Sequence, residues 1–285
     1  MTIKITSSDF PRLKGYIEKQ CGIALRDSQQ YLLESRLNKL LAQHQCSSFA
    51  EFYQLAMDGR VPGLNEKIVN AMTTNETLWF RDTHPWQSFQ DVLLPEWDAQ
   101  LKGPAVRKRI WSAAASMGQE AYSMSMLIDT YCRMHPASAL SRNVEIVGTD
   151  ISTSALYVAI SGNYDAIAMS RGFGEPWTSY KNRYFTAKQK VWELSEDIRK
   201  MVSFRHFNLQ QSFESLGKFD LICLRNVIIY FSDEFKKDLF DRMANSLNPS
   251  GYLLLGASET PIRYTSRFKS MRIGQSTFYQ LKDAP

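Results

Sequence analysis

Apolar residues in the first quarter of the chain recur at three- and four-residue steps: Phe10, Leu13, Tyr16 and Ile17, then Tyr31, Leu32, Leu33, Leu37, Leu40 and Leu41. That spacing lines one face of a helix, so residues from about 8 to 72 are expected to form a small helical domain with little strand. Asp9 with Pro11 marks a helix start. Ser47-Ser48 before Phe49-Ala50-Glu51-Phe52 reads as a capping box, with Glu51 three residues after Ser48. A connecting segment, 72–82, leads into a helix expected at 86–94. From about Val106 the pattern changes to short apolar runs alternating with helical stretches. Strands are expected at 109–114, 145–149, 202–207, 219–224 and 252–256, and helices at 119–131, 152–160 and 233–247. Such alternation predicts a mostly parallel sheet with helices on both faces. Asn248-Pro249-Ser250-Gly251 reads as the turn out of the last long helix, and 268–273 with 275–281 as a terminal hairpin around Gly274.

About forty residues, 162–200, separate the helix at 152–160 from the strand at 202–207, far more than a crossover needs. They predict an inserted subdomain. Within it 183–186 and 191–194 read as paired short strands, with 187–190 as a tight connection, and an exposed edge there could accept a peptide as an added strand. The expected division is a helical domain over 1–75, a linker and connecting helix over 76–105, and an α/β domain over 106–285.

The segment from Arg109 to Ser123 is a buried strand, a small-residue turn (Ala113-Ala114-Ala115-Ser116-Met117-Gly118) and then a helix start. Small side chains let a ligand approach the backbone, and the helix N-terminus offers free amides. A G-x-G-x-x-G is absent, and the turn instead leads into an acid, Glu120, which suits a cation better than a phosphate. The strand at 145–149 ends in Asp150, the position from which Rossmann-type folds grip a ribose. His206-Phe207-Asn208-Leu209, after the next strand, could hold an adenine. Together these residues predict an adenosine pocket. The strand at 219–224 runs into Arg225 and Asn226, with Tyr230 four residues further, polar groups where an open parallel sheet faces its cleft.

Composition narrows the field. The chain has 285 residues, 44% of them apolar, enough for a sizeable core. No apolar run is long enough to span a bilayer, and the N-terminus lacks a secretory pattern, so direct membrane insertion is not expected and a cytoplasmic location is. Cys21, Cys46, Cys132 and Cys223 are scattered without a C-x-x-C, and the four histidines are equally dispersed, so neither a disulfide scaffold nor a metal site is expected. The net charge of +5 is spread in short groups rather than gathered into a nucleic-acid arm, and no nucleic-acid partner is expected. Arg26, Arg36 and Lys39 give the helical domain a mixed basic face, either an ordinary solvated surface or a dock for an acidic protein.

Six collinear segments carry a specific resemblance: TTNETLWFRD (73–82), RIWSAAASMGQEAYS (109–123), VGTDIS (147–152), FNL (207–209), CLRNVIIYF (223–231) and LNPSGYLLLGASE (247–259). Over nearly the whole chain they look like the chemotaxis receptor methyltransferases, the CheR family, which methylate receptor glutamates with S-adenosylmethionine. The resemblance implies a Rossmann-like class I methyltransferase sheet with a small all-helical N-terminal domain and an inserted antiparallel β subdomain. It implies that Asn75, Thr77, Arg81, Glu120, Asp150, Asn208, Leu209, Arg225 and Asn226 bind S-adenosyl-L-methionine and its product S-adenosyl-L-homocysteine. Arg81 would take the methionine carboxylate, Glu120 the ammonium, Asp150 the ribose, and Asn208 and Leu209 the adenine. Tyr230 would stand beside the reacting methyl, with Arg109, at the head of the first strand, as a second catalytic candidate. The implied partner is the helical cytoplasmic domain of a chemoreceptor, met by a monomer. In some members the inserted subdomain grips a peptide tether at the receptor C-terminus. Here the connection between Phe185 and Val191 is short and lacks their glycine-rich loop. Two other readings stay open: an RNA or small-molecule methyltransferase on the same fold, although Leu224-Arg225-Asn226-Val227 lacks an Asn-Pro-Pro-aromatic element, and a noncatalytic receptor-docking module.

Overall fold

A computed structural model describes residues 2–101 and 107–282. The expected start of the α/β domain at Val106 lies outside them. Four helices open the chain: α1 (Asp9–Cys21), α2 (Gln30–Gln43), α3 (Phe49–Asp58) and α4 (Leu64–Met72). Their periodic residues converge as the sequence requires, with Leu13, Leu33, Leu37, Leu41 and Phe52 fully buried in a core of their own. The Ser48 hydroxyl accepts the Glu51 N–H at 3.1 Å, but the Glu51 carboxylate reaches back to the Ser47 N–H, at 2.7 Å, one residue before the expected partner. The cap is therefore a box widened by one residue.

After the connecting segment come α5 (His84–Ser88), a π-helical turn (Phe89–Leu93) and α6 (Leu94–Gln100). The expected helix at 86–94 is thus interrupted by an i→i+5 turn. The α/β part follows as β1 (Lys108–Ala113), α7 (Gln119–Met134), α8 (Leu140–Asn143), β2 (Val144–Asp150), α9 (Thr153–Ser161), β3 (Asn163–Tyr164), α10 (Ala166–Met169), α11 (Thr178–Tyr184), β4 (Phe185–Lys188), β5 (Val191–Leu194), α12 (Glu196–Lys200), β6 (Val202–His206), β7 (Phe219–Leu224), α13 (Asp233–Ser246), β8 (Leu247–Leu255), β9 (Phe268–Ile273) and β10 (Ser276–Leu281).

Seven strands make one sheet in the order β6-β2-β1-β7-β8-β10-β9. The first five run parallel, while β10 and β9 return antiparallel as the terminal hairpin, with Gly274 in a left-handed turn. β1 and β7 sit side by side at the centre, and their residues Ile110, Trp111, Leu221 and Ile222 are fully buried, as strands covered on both faces must be. The connection leaving β1 goes to β2 on one side and the chain later returns to β7 on the other. The strand order reverses there, so a crevice opens at the carboxyl ends of β1, β2 and β7.

Residues 163–200 carry the second sheet, β3-β5-β4, antiparallel and three-stranded. Two expectations need correction. Arg183 and Tyr184 end helix α11 instead of starting a strand, because Tyr184 buries its ring and its hydroxyl bonds Thr130 and Asp129 on α7. The expected turn at 248–251 is a bulge at the head of β8. Phe219 pairs with Leu247 and Leu221 with Tyr252, and the intervening residues loop past Gly251, whose backbone packs against the Phe219 carbonyl.

Candidate functional site

The crevice at the strand ends holds a cleft of about 960 Å³, open to solvent. Its wall is built in four pieces: the connecting segment 73–78 with Arg81, the turn 114–116 with Glu120, the β2 and β6 ends at 150–151 and 207–209, and the β7 end at 225–227 with Tyr230. Cys21 and Ile23, at the end of α1, complete it. Every sequence-predicted site residue except Arg109 and His206 lines this cleft.

The small-residue turn follows from its backbone. Ala114 and Ser116 have φ of 57° and 52°, and Gly118 has 89°, a left-handed path that large or branched side chains resist. Gly118 also has Ala159 and Phe204 atoms 3.0 Å from where a Cβ would stand. The turn's amides serve the protein before any ligand. Ser116 N–H donates to Asp150 Oδ2 at 2.7 Å, Ser152 N–H donates to Oδ1 at 2.8 Å, and the Ser116 hydroxyl donates to the Asn75 carbonyl at 2.9 Å. Asp150 is thereby fixed at the end of β2, 6% exposed, with lone pairs left for ligand hydroxyls. Burial raises its pKa above the usual 3.8, opposed by the N–H bonds from Ser152, Ser116 and Ile151.

Glu120 occupies the first turn of α7, where the helix dipole favours an anion. Its Oε1 accepts the Ser112 hydroxyl at 2.7 Å and its Oε2 lies 3.3 Å from Arg225 Nη1. The Arg225 side chain is 2% exposed and its guanidinium is already engaged. Nη2 pairs with Asp82 at 2.6 Å and donates to the Arg81 carbonyl at 2.9 Å, and the cation lies 5.1 Å from the Trp86 ring centre. Arg225 therefore orients Glu120 and locks the end of the connecting segment where it meets α5, a stretch in which Phe80, Asp82 and Thr83 all have positive φ. Arg81 has the opposite situation: half-buried on the cleft wall, it has no carboxylate partner among the described residues. It is the cation available to a ligand carboxylate.

Asn226 has a left-handed φ of 59°, and its Oδ1 is buried without a hydrogen-bond partner. Asn226 lines the cleft, and an orphaned buried acceptor in such a wall suits a cationic or N–H-bearing partner. Asn75 Nδ2 reaches the Ser152 hydroxyl at 3.1 Å, so its side chain ties the connecting segment to α9. Asn208 is similarly occupied, donating to the Gln20 carbonyl of α1 at 2.8 Å. Thr77, Leu209 and the half-buried Tyr230 border the space.

Arg109 does not belong here. It lies at the opposite end of β1, where it pairs with Glu145 at 2.9 Å, donates to the carbonyls of Leu216 and Lys218 and covers the Phe219 ring. The catalytic expectation for it is withdrawn, because a strand's first residues face the edge away from the cleft. The basic face of the helical domain also changes. Arg36 donates to the carbonyls of Met72 and Thr73 and to the Thr74 hydroxyl, so it braces the connecting segment.

Sequence reasoning missed Glu259. Just beyond β8, 6% exposed, its carboxylate collects four backbone amides: Asn226 at 2.7 Å, Gly256 at 2.8 Å, Val227 at 3.0 Å and Ile228 at 3.1 Å. Successive amides pointing inward form an anion nest, and the chain fills it with its own glutamate. This pins the loop between β7 and Tyr230. A carboxylate at a strand end was the signal that found Asp150, and the same signal at Glu259 could have been read. Asp82 and Ser112, which flank Arg225 and Glu120, carried no separate signal.

Two family models cover this architecture. Residues 8–73 match the CheR methyltransferase all-alpha domain, and residues 75–276 match the CheR methyltransferase SAM binding domain. Chemotaxis protein methyltransferase 1 of Pseudomonas aeruginosa is 44% identical over 277 residues, covering 97% of this chain and 98% of its own. A chemotaxis protein methyltransferase of Pseudomonas putida is 42% identical over 275 residues, 96% of this chain and 98% of its own. Chemotaxis protein methyltransferase 1 of Vibrio cholerae is 42% identical over 282 residues, 98% of this chain and 99% of its own. With the helical domain and the sheet in the places that these models span, and most of the cleft wall within the span of the SAM binding domain, the chain belongs to the CheR methyltransferases.

Proposed function

We propose that the protein is a cytoplasmic protein-glutamate O-methyltransferase that esterifies glutamate side chains on the helical domain of a chemoreceptor. One observation carries the choice of acceptor: the cleft wall contains no histidine or lysine among the described residues, and its three carboxylates are all engaged, Glu76 by Arg171, Glu120 by Ser112 and Arg225, and Asp150 by the Ser116 and Ser152 amides. An amine or hydroxyl acceptor must lose a proton during transfer and is served by a positioned base. A glutamate, with an ordinary pKa near 4.3, is already an anion at neutral pH and needs none.

S-adenosylmethionine, when bound, supplies a methyl group on a positively charged sulfur. Arg81 would hold its carboxylate, Glu120 its ammonium, Asp150 the ribose hydroxyls, and the 207–209 segment the adenine. The unpartnered Asn226 Oδ1 and the free Arg81 guanidinium fit that group. The protein's work is then alignment and exclusion of water. Tyr230, whose hydroxyl has no protein partner among the described residues, orients the incoming carboxylate by a hydrogen bond. Arg225 is kept from that carboxylate by Asp82 and Glu120. This matters, because a free arginine gripping the ground-state anion more tightly than the transition state would slow transfer.

The test uses radiolabelled cofactor and receptor-bearing membranes. Label released as methanol by mild base identifies a methyl ester. Base-stable label would mean N- or C-methylation, and no incorporation would favour a docking role.

A further inference from the structure

The helical domain enters the cleft at one end of α1. Gly22 stops that helix in a left-handed conformation, φ 76°, its N–H bonded to the Glu18 carbonyl at 2.8 Å. The last carbonyls of a helix have no partner within it. Here the loop after β6 takes one of them, Asn208 Nδ2 donating to Gln20 O at 2.8 Å, and Gln210 Nε2 adds a second bond, at 3.1 Å, to Glu18 O, which already holds the Gly22 N–H. The chain then extends. Ile23 forms an isolated antiparallel bridge with Phe231, and the Ala24 N–H donates to the Tyr230 carbonyl at 2.8 Å. Gly22 fits closely, since a Cβ there would stand 2.7 Å from Cε1 of Phe235, whose ring packs edge-on against Phe231 at 4.8 Å.

We infer that residues 18–24 form a positioning element that sets Asn208 on the adenine side of the cleft and Tyr230 on the transfer side, making the helical domain a structural part of the active site. Glu259 grips residues 226–228 but stops short of Tyr230. Beyond the turn bonds of its own loop, the Tyr230 main chain is held by Ala24. A displacement of α1 relative to the sheet would move both sides of the cleft together. The effect on transfer rests on the proposed role of Tyr230, whereas the effect on cofactor affinity does not.

Three variants of the full chain test this: Gly22→Ala, Gln210→Ala and, as a control buried in the helical core away from the joint, Leu13→Ala. Thermal melting, S-adenosylhomocysteine affinity by titration calorimetry and steady-state methylation of receptor membranes are measured for each. Gly22→Ala is expected to lower kcat about ten-fold and raise Kd about three-fold with KM for the receptor unchanged, a misplacement effect. Leu13→Ala is expected to lose thermal stability while kcat and Kd, measured well below its melting temperature, stay within about two-fold of wild type. Wild-type kcat and Kd in a folded Gly22→Ala, or the same losses in Leu13→Ala, overturn the inference. Should Gly22→Ala fail to fold, Gln210→Ala decides. Its side chain is exposed, and an unchanged Kd there rejects the joint while a two- to three-fold weakening, about the worth of one hydrogen bond, supports it. If receptor glutamate is not the acceptor, the kcat measurement is lost and the Kd measurement still decides.

Discussion

The two edges of the main sheet carry similar charges and do different things with them. At the amino-terminal edge Lys108 pairs with Asp220 at 3.5 Å and Gln100 at 2.7 Å, Asp220 also accepts the Arg109 N–H, and Arg109 holds Glu145. Each of these charges meets an opposite one, and Glu145 is pulled below the usual carboxylate range by the hydrogen bond from Arg109. At the carboxyl edge Arg225 is shared by two carboxylates, Arg81 has none, Asp150 keeps free lone pairs and Asn226 Oδ1 is alone, all around about 960 Å³ of open space. Charge at a strand end is structural where it closes on itself and functional where it is left incomplete. That difference explains why Arg109, a conspicuous arginine in the most conspicuous motif, is scaffold.

The largest effect is expected at Arg225. Arg225→Met removes the buried counterion of Asp82 and Glu120, and breaking a buried pair costs about 3–5 kcal/mol. Urea unfolding should show that loss together with undetectable S-adenosylhomocysteine binding. A native-like midpoint would mean the guanidinium is replaceable.

Asp150→Ala comes next. It removes an ionised acceptor for the ribose, with charged hydrogen bonds worth roughly 1.5–3 kcal/mol each, so calorimetry should show affinity falling by about 100-fold. Retained affinity would remove Asp150 from the site. Because burial raises its pKa, the charged form is lost at higher pH than for an exposed aspartate. Affinity in wild type should fall on acidification starting above the ordinary aspartate range, and Asp150→Asn should flatten that profile. The sign for unliganded stability is opposite. A raised folded pKa means the buried charge weakens the fold near neutrality, and this penalty is relieved as pH drops through the folded value.

A paired substitution sharpens the contrast between edges. Glu120→Gln should weaken S-adenosylhomocysteine binding by about ten-fold through loss of the charged partner for the ammonium. Glu145→Gln, whose ion pair is half exposed, should leave binding unchanged and cost at most about 1 kcal/mol of stability. The smallest effect belongs to Arg109→Lys. It should leave kcat within about two-fold of wild type, the expectation for a group that acts only on stability, and a large kcat loss would restore its catalytic candidacy.

The helical spacing at Leu33, Leu37 and Leu41 and the all-apolar runs of β1 and β7 made the helical domain and the parallel sheet legible, because one-sided and two-sided burial leave different periods in a chain. The strand-end positions of Asp150 and Asn226, and Glu120 in the first turn of its helix, were legible for the same reason: the carboxyl edge of a parallel sheet can be read from the strand-to-helix alternation. Hidden were facts that depend on pairs of residues far apart in the chain. Asp82 meets Arg225, Glu259 meets the amides of 226–228, and Ala24 meets Tyr230 only after the sheet has closed. Local pattern thus determined which elements form and which ends of them face the crevice. The tertiary structure alone decided which charges are neutralised, which are left without a partner, and that the end of α1 lines the cleft, since those outcomes depend on distances between segments that no local periodicity encodes.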